Sequence, residues 1–259
     1  MIRIFDTNNS KQWDEVVKSF SNYDVYYLSG YVKSFQIHGD GNPQLLFYEN
    51  NGLRAIYVYM KRETFISGIY DSITPYGYGG VLFEGDISTE KLNAFWNDYV
   101  QKMNEENIID NFVRYHPMIF NAIPMKEISN VIDLGKTIAM DLSSPEIIWE
   151  NIHSKNRNMI RKAEKNGIEI HHGKGLDLLD KFIVIYNATM DKDNADKYYY
   201  FSQSFYKSIH NDLYDNYEIF YAVYENKIIA MSIMIFANDR MNYHLSGSDI
   251  EYRNLAPSN

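Results

Sequence analysis

Apolar and polar positions alternate along the chain with a period that switches between about two and about 3.6 residues, and each switch separates a predicted strand from a predicted helix. Residues 45–48 and 53–60 are β-rich runs on either side of Glu49-Asn50-Asn51-Gly52, which predicts a hairpin. Residues 218–224 and 228–236 repeat the arrangement around Glu225-Asn226-Lys227, and a third strand, 241–245, follows the turn Ala237-Asn238-Asp239-Arg240. Tyr48-Glu49-Asn50 and Tyr224-Glu225-Asn226 are expected to hold the same place in two hairpins. That is a hint of duplication, although turns converge on such residues through local chemistry alone. Helical spacing predicts 10–20, 89–106, 177–191 and 202–211, together with one helix over 144–166. For this last helix Ser143 and Glu146 have capping-box spacing, Pro145 suits the first turn and Gly167 supplies a stop. Strands interleaved with helices make an α/β or α+β protein. A seam near Leu134-Gly135-Lys136, without a low-complexity linker, divides it into domains 1–135 and 136–259.

Composition narrows the function. The 259 residues carry 45% hydrophobic and 23% charged side chains, which excludes a disordered or collagen-like chain. With 25 basic against 34 acidic residues the net charge is −9, which argues against a protein, DNA-binding or otherwise, whose main affinity comes from wrapping a nucleic-acid backbone, so any anion site must be local. Cysteine is absent, which removes disulfides, thiolate nucleophiles and cysteine zinc sites. The N-terminus reaches Asp6 without a basic and then apolar leader, and no window approaches 18 apolar residues. A cytoplasmic protein without a membrane span is the expectation. The 23 tyrosines and 14 phenylalanines are expected mostly to be packed.

The steepest local charge excess lies on the predicted helix over 144–166, where Lys155, Arg157, Arg161, Lys162 and Lys165 face a single acidic residue, Glu164. At about 100° per residue, Ile148, Ile152, Met159 and Ala163 form an apolar stripe bordered by Lys155 and Lys162, while Arg157 and Arg161 project from the other side. Two readings stand. The run is a solvated face with cations toward the helix C-terminus, where the macrodipole favours them, or one edge pair binds a phosphorylated ligand.

Thr74-Pro75-Tyr76-Gly77-Tyr78-Gly79-Gly80 is either a ligand-lining loop or a tight turn into the strand 81–83. It lacks the spacing and the lysine of a P-loop. Seven histidines show no metal-ligand spacing, so no metal is expected, and the adjacent His171 and His172 point to opposite faces of a strand. No G-x-S-x-G elbow is present.

The string Ser154-Lys155-Asn156-Arg157-Asn158-Met159-Ile160-Arg161-Lys162-Ala163-Glu164-Lys165-Asn166-Gly167-Ile168-Glu169-Ile170 resembles the signature of the FemAB/FemX family of peptidoglycan bridge-forming aminoacyltransferases. The loop from Pro75 to Gly80, Phe112-Val113-Arg114-Tyr115-His116-Pro117, and Tyr243-His244-Leu245-Ser246-Gly247-Ser248-Asp249-Ile250-Glu251-Tyr252-Arg253 agree in kind and order. The resemblance implies two tandem GNAT-like acyltransferase domains, which agrees with the paired hairpins. The second is expected to be incomplete at its C-terminus, since Pro257-Ser258-Asn259 reads as the opening of a helix.

The resemblance also implies transfer of an aminoacyl group from aminoacyl-tRNA, as donor substrate and without a tightly bound cofactor, to an amine of a peptidoglycan precursor or related glycan-linked substrate. The helical arm of some members has no counterpart here. Under this reading Lys155, or Arg157 with Arg161, meets substrate phosphates, with Lys162 the other edge lysine, since the four cannot all clasp one phosphate, and Tyr76, Gly77, Gly79 and Gly80 line the acceptor cleft. Tyr199, Tyr200 and Tyr206 are either further ligand contacts or core packing, and His244, Ser248 and Asp249 lie at a strand end near the chemistry, unless Asp249 just begins a turn. An acetyl-CoA-dependent N-acetyltransferase acting on an amino sugar, or a degenerate binding module, is the alternative. Against CoA, Arg253-Asn254-Leu255-Ala256-Pro257-Ser258 departs from the pyrophosphate loop of CoA-using GNAT enzymes, because Pro257 has no N–H to donate.

Overall fold

The computed structural model describes residues 1–258. The chain divides into two compact units, Met1–Thr137 and Ile138–Asn259. In the first, β1 (Ile2–Asp6), α1 (Ser10–Lys18), α2 (Ser29–His38), β2 (Asn42–Asn50), β3 (Leu53–Glu63) and β4 (Tyr70–Ile73) are followed by β5 (Leu82–Gly85), α3 (Thr89–Glu105), β6 (Ile108–Phe112) and α4 (Ala122–Met125). Its sheet has the order β1-β2-β3-β4-β6, with β5 paired to β3; only β4 and β6 run parallel. The sequence pattern does not reveal α2: Ser29, Gly30, Tyr31, Val32, Ser34 and Phe35 are all buried, so little polar contrast marks a face.

The second unit contains α5 (Pro145–Asn151), α6 (Ser154–Lys165), β7 (Glu169–Gly173), α7 (Leu176–Lys192), α8 (Gln203–Asp212), β8 (Tyr217–Tyr224), β9 (Lys227–Ala237) and β10 (Arg240–Ser248). Its sheet is antiparallel throughout, in the order β10-β9-β8-β7. The order strand, two helices, then three-strand meander therefore occurs in both units, giving a mixed α/β architecture with a GNAT-like element order.

Both hairpins turn on two residues at positive φ, Asn51 (47°) with Gly52 (85°) and Glu225 (47°) with Asn226 (62°). Such turns match the twist of the strands they join. The register corrects one expectation. Asn50 pairs with Leu53 and Tyr224 with Lys227, so Asn50, not Tyr48, corresponds to Tyr224. The shared Tyr-Glu-Asn string is out of step by two residues; the repetition lies in topology.

A second correction concerns the basic helix. The single helix expected over 144–166 is broken at Ile152, whose ψ of 129° is extended. Ser144, rather than Ser143, is the N-cap of α5, its Oγ accepting from the Ile147 N–H at 3.2 Å. His153 caps α6 by accepting from the Lys155 N–H at 3.3 Å. The proposed stripe from Ile148 through Ala163 thus belongs to two helices, and α6 alone buries only Ala163 fully.

The units cover their sheets differently. In the first, Leu46, Tyr48, Tyr57 and Tyr59 form one core with Phe95, Tyr99 and Met103 of α3. Asn111 joins two of the tyrosines, accepting from the Tyr57 hydroxyl and donating to the Tyr99 oxygen, each at 2.6 Å. That satisfies polar atoms whose burial would otherwise be costly. In the second, the fully buried row Tyr217, Ile219, Ile233 and Ile235 lies on the face that meets α7.

Candidate functional site

The end of β10 is shaped by its contact with α7. A Cβ on Gly247 would lie 2.8 Å from both the Ile185 oxygen and the Tyr186 Cα, so only glycine lets helix and strand backbones approach this closely. One turn further along α7, the Thr189 hydroxyl accepts from the Ser248 N–H at 3.0 Å and bonds its carbonyl at 3.4 Å. Upstream, β10 carries a bulge: Tyr243 pairs with Met234 and Leu245 with Ile233, leaving His244 as the extra residue. Bulges of this kind bend a strand and re-aim its side chains.

On the sheet face away from the buried row, Phe220, Ser232 and Ser246 stand side by side, and Ala222, Ala230 and Ser248 form the next row. They floor a concavity of about 300 Å³ that Ile170, Tyr243 and Pro257 also line. The floor carries the Phe220 ring, two alanines and the hydroxyls of Ser232, Ser246 and Ser248, and Ile170 and Pro257 add apolar surface at the rim. Among the described residues no strand pairs with the outer edge of β10. Such a groove accepts a small group whose polar atoms need donors and whose remainder is flat or apolar.

The three residues expected near chemistry separate here. Ser248 lies in the groove. Asp249 is next to it but engaged: its carboxylate accepts from the Glu251 N–H at 3.0 Å and from Lys227 Nζ at 2.9 Å, and the lysine holds its pKa below the usual carboxylate range. It orders the turn after β10. Burial lowers the pKa of His244 to about 3, so the ring is uncharged at neutral pH and too weak a base to draw a proton from an ammonium group.

The cations of α6 also divide. Arg157 folds back, Nη1 donating to the carbonyls of Trp149 (3.1 Å), Glu150 (3.2 Å) and Ile152 (2.7 Å), and so closes the C-terminal end of α5. Arg161 lies 5.2 Å from the Trp149 ring centroid and bonds Asn158. Lys155, Lys162 and Lys165 are exposed and form no ion pair among the described residues. The expectation that Arg157 and Arg161 project together is therefore replaced by two arginines that tie α6 to α5 and three free lysines.

In the first unit the Thr74–Gly80 stretch is anchored to the aromatic start of α2. Tyr31 donates to the Tyr76 carbonyl, Tyr27 to that of Gly80 at 3.0 Å, and Asn121 to that of Gly79 at 2.9 Å. Gly77, at φ 92°, lies against Tyr26, where any Cβ would come within 2.5 Å of the ring. Beneath it, His116 Nε2 and Asp24 Oδ2 are 2.8 Å apart, both fully buried, and His116 Nδ1 accepts from the Met118 N–H, which puts the ring proton on Nε2. Tyr76 and Gly77 are partly accessible, whereas Gly79 and Gly80 are buried.

Tyr199 is exposed, and Tyr200 is half-buried and donates to Asp191 at 2.7 Å. Tyr206 is core, packed on Phe182, Phe201 and Phe205, and is not a surface contact. His171 bonds Glu169 and His172 bonds Glu218, and among the described residues no cluster of three or more acidic or histidine side chains is placed to hold a metal ion. No helix of the described residues is long and apolar enough to cross a membrane.

Sequence reasoning missed Phe220, Ser232 and Ser246, because their adjacency depends on strand register. Ser246 had a signal, standing two residues before Ser248 and hence on the same face.

Residues 141–255 match a FemAB-like family model, described as peptidoglycan biosynthesis/recognition. The whole fold is similar to the crystal structure of FemX, at a TM-score of 0.70 and 13% identity, over 99% of this chain and 82% of that one. It is also similar to a conserved protein of unknown function from Bacteroides thetaiotaomicron (TM-score 0.57, 11% identity, 97% of this chain and 81% of that one). A third similar structure is the C-terminal domain of a protein named as a lysylphosphatidylglycerol synthetase, from Agrobacterium fabrum (TM-score 0.55, 12% identity, 94% and 69%). No curated protein gives a significant match.

Proposed function

From residues 141–255, which match a FemAB-like family model, we propose an acyltransferase that moves an aminoacyl group from aminoacyl-tRNA to an amine of a peptidoglycan precursor. The observation that carries this reading is the groove at the end of β10, with Ser232, Ser246 and Ser248 on its floor and a strand edge beside it that no strand of the described residues pairs.

In the reaction the neutral amine nitrogen attacks the ester carbon, a C–N bond forms, the ester C–O bond breaks, and the tRNA hydroxyl leaves with the proton the amine loses. Nothing in that sequence requires a covalent protein intermediate. The chain's part is to hold the partners together and to stabilise the oxyanion with hydrogen-bond donors. Ser248 and Ser246 supply hydroxyls at the floor, and the Asp249–Lys227 pair fixes the turn that ends the strand. His244, uncharged, shapes the bulge. Lys155 and Lys162 meet precursor phosphates, with Arg157 and Arg161 holding α6 on α5 so that the lysines are presented. Tyr199 and Tyr200 are further contacts. No tightly bound cofactor takes part.

The test incubates the protein with UDP-MurNAc-pentapeptide and a charged tRNA mixture. A mass gain of one aminoacyl residue on the precursor is expected. Thiol release from acetyl-CoA with amino-sugar acceptors, in place of that gain, overturns the donor assignment, and precursor binding without transfer makes the protein a recognition module. Lys155→Ala is expected to weaken precursor binding about tenfold, about 1.4 kcal/mol, while leaving the thermal midpoint unchanged.

A further inference from the structure

A second concavity, of about 970 Å³, lies in the first unit between α1 and the side of the sheet formed by β1 and the β2–β3 hairpin. Its two arginines are used differently. Arg54 is engaged on every side: Nη2 donates to Ser19 Oγ at 2.6 Å, Nη1 lies 3.4 Å from Glu84, and Nε is 3.9 Å from Glu49. Arg3 has no hydrogen bond or carboxylate among the described residues. It lies across aromatic rings instead, 4.8 Å from the Phe47 centroid and 6.0 Å from that of Phe5. Because Arg3 and Phe47 are direct cross-strand neighbours, the guanidinium is held in one place with its donor fork unoccupied.

The facing wall is α1, whose Gln12, Glu15 and Ser19 line the concavity at helical spacing. Glu15 forms no ion pair among the described residues. One wall thus offers a pre-ordered free cation and the other a free carboxylate, and Val16, Ile4 and Phe47 add apolar surface to the lining. A simple anion would meet Arg3 but be repelled by Glu15 and Glu49, and a simple cation the reverse. A ligand carrying both charges satisfies both walls at once.

We propose that this concavity binds a zwitterionic peptide, its α-carboxylate on Arg3 and its α-ammonium on Glu15. The proposal stands independently of the acyl-transfer reading, since no residue of the β10 groove or of α6 takes part.

The probe is dialanine, compared with N-acetyl-dialanine and dialanine amide, titrated into the isotope-labelled full chain by NMR. Saturable shifts of the Val16 and Ser19 amides are expected with dialanine, and affinity at least fivefold weaker with each blocked form. Arg3→Ala should abolish discrimination against the amide, and Glu15→Gln discrimination against the N-acetyl form. Both residues are exposed, so neither variant is expected to change the fold. Equal binding of all three probes, shifts that ignore both substitutions, or no saturable shift at millimolar dialanine overturns the proposal.

Discussion

The two units share one order of elements and treat one sheet face in opposite ways. In the first, the meander β2-β3-β4 is extended by the parallel strand β6, and α3 covers the face formed by Leu46, Tyr48, Tyr57 and Tyr59. In the second, the corresponding face, with Phe220, Ser232, Ser246 and Ser248, is partly open and hollowed into a groove. Residue choice follows the covering. Where a helix lands, the sheet presents large aromatics whose hydroxyls are satisfied by Asn111 and Gln44; at the groove it presents Ala222, Ala230, Ser232, Ser246 and Ser248 beside the ring of Phe220. The same topology therefore serves as a packed support in one half and as a candidate reaction surface in the other, a difference made by a handful of side chains per face.

This contrast can be broken most directly at its two centres. Phe95, fully buried and in ring contact with Tyr48, Phe83 and Tyr99, should behave as a core residue: Phe95→Ala is expected to lower stability by about 3–5 kcal/mol. A denaturant midpoint close to wild type would show that α3 is not the lid we describe.

His244 gives the next largest effect, through pH. Its folded pKa, about 3, lies below the ordinary histidine value, so the unfolded chain binds a proton that the folded chain refuses. Stability should be complete above about pH 6.5 and fall as pH drops toward 3, by up to about 1.4 kcal/mol per pH unit. His244→Gln should flatten that slope in acid-denaturation curves. Were the slope retained, the ring would not be the buried neutral group at the bulge.

The smallest change in stability is expected at Phe220→Ala on the open face, within about 1 kcal/mol, because the ring is only partly buried and leaves no sealed cavity. Transfer to the precursor should nevertheless drop, since the substitution removes a wall of the groove. A large loss of stability with unchanged turnover would reverse the roles assigned to the two faces.

Much of this was open to sequence reasoning, and the failures have particular causes. The hairpins, α1, α3, α7, α8 and β10 follow from periodicity and turn chemistry, which are local. The helix over 144–166 was misread because Ile152 and His153 are no strong breakers, and what stops the helix is a long-range act, Arg157 reaching back to three carbonyls of α5. The buried pair Asp24–His116 joins residues 92 apart and left no trace in spacing. Tyr206 and Tyr199 look alike as letters in an aromatic run, yet one is sealed among phenylalanines and the other is exposed.

What the amino-acid order determined alone was the identity of the elements, the absence of thiol chemistry, and the concentration of positive charge on α6, since each depends on neighbours within about one helical turn or one strand. Which lysines stay free, which arginines become struts, and which serines of separate strands share a floor were decided only when the sheet's register and the packing of α7 on Gly247 brought distant residues together. Periodicity tells a residue which side of its own element it occupies. What stands opposite it is set by long-range pairing, and that pairing made the groove.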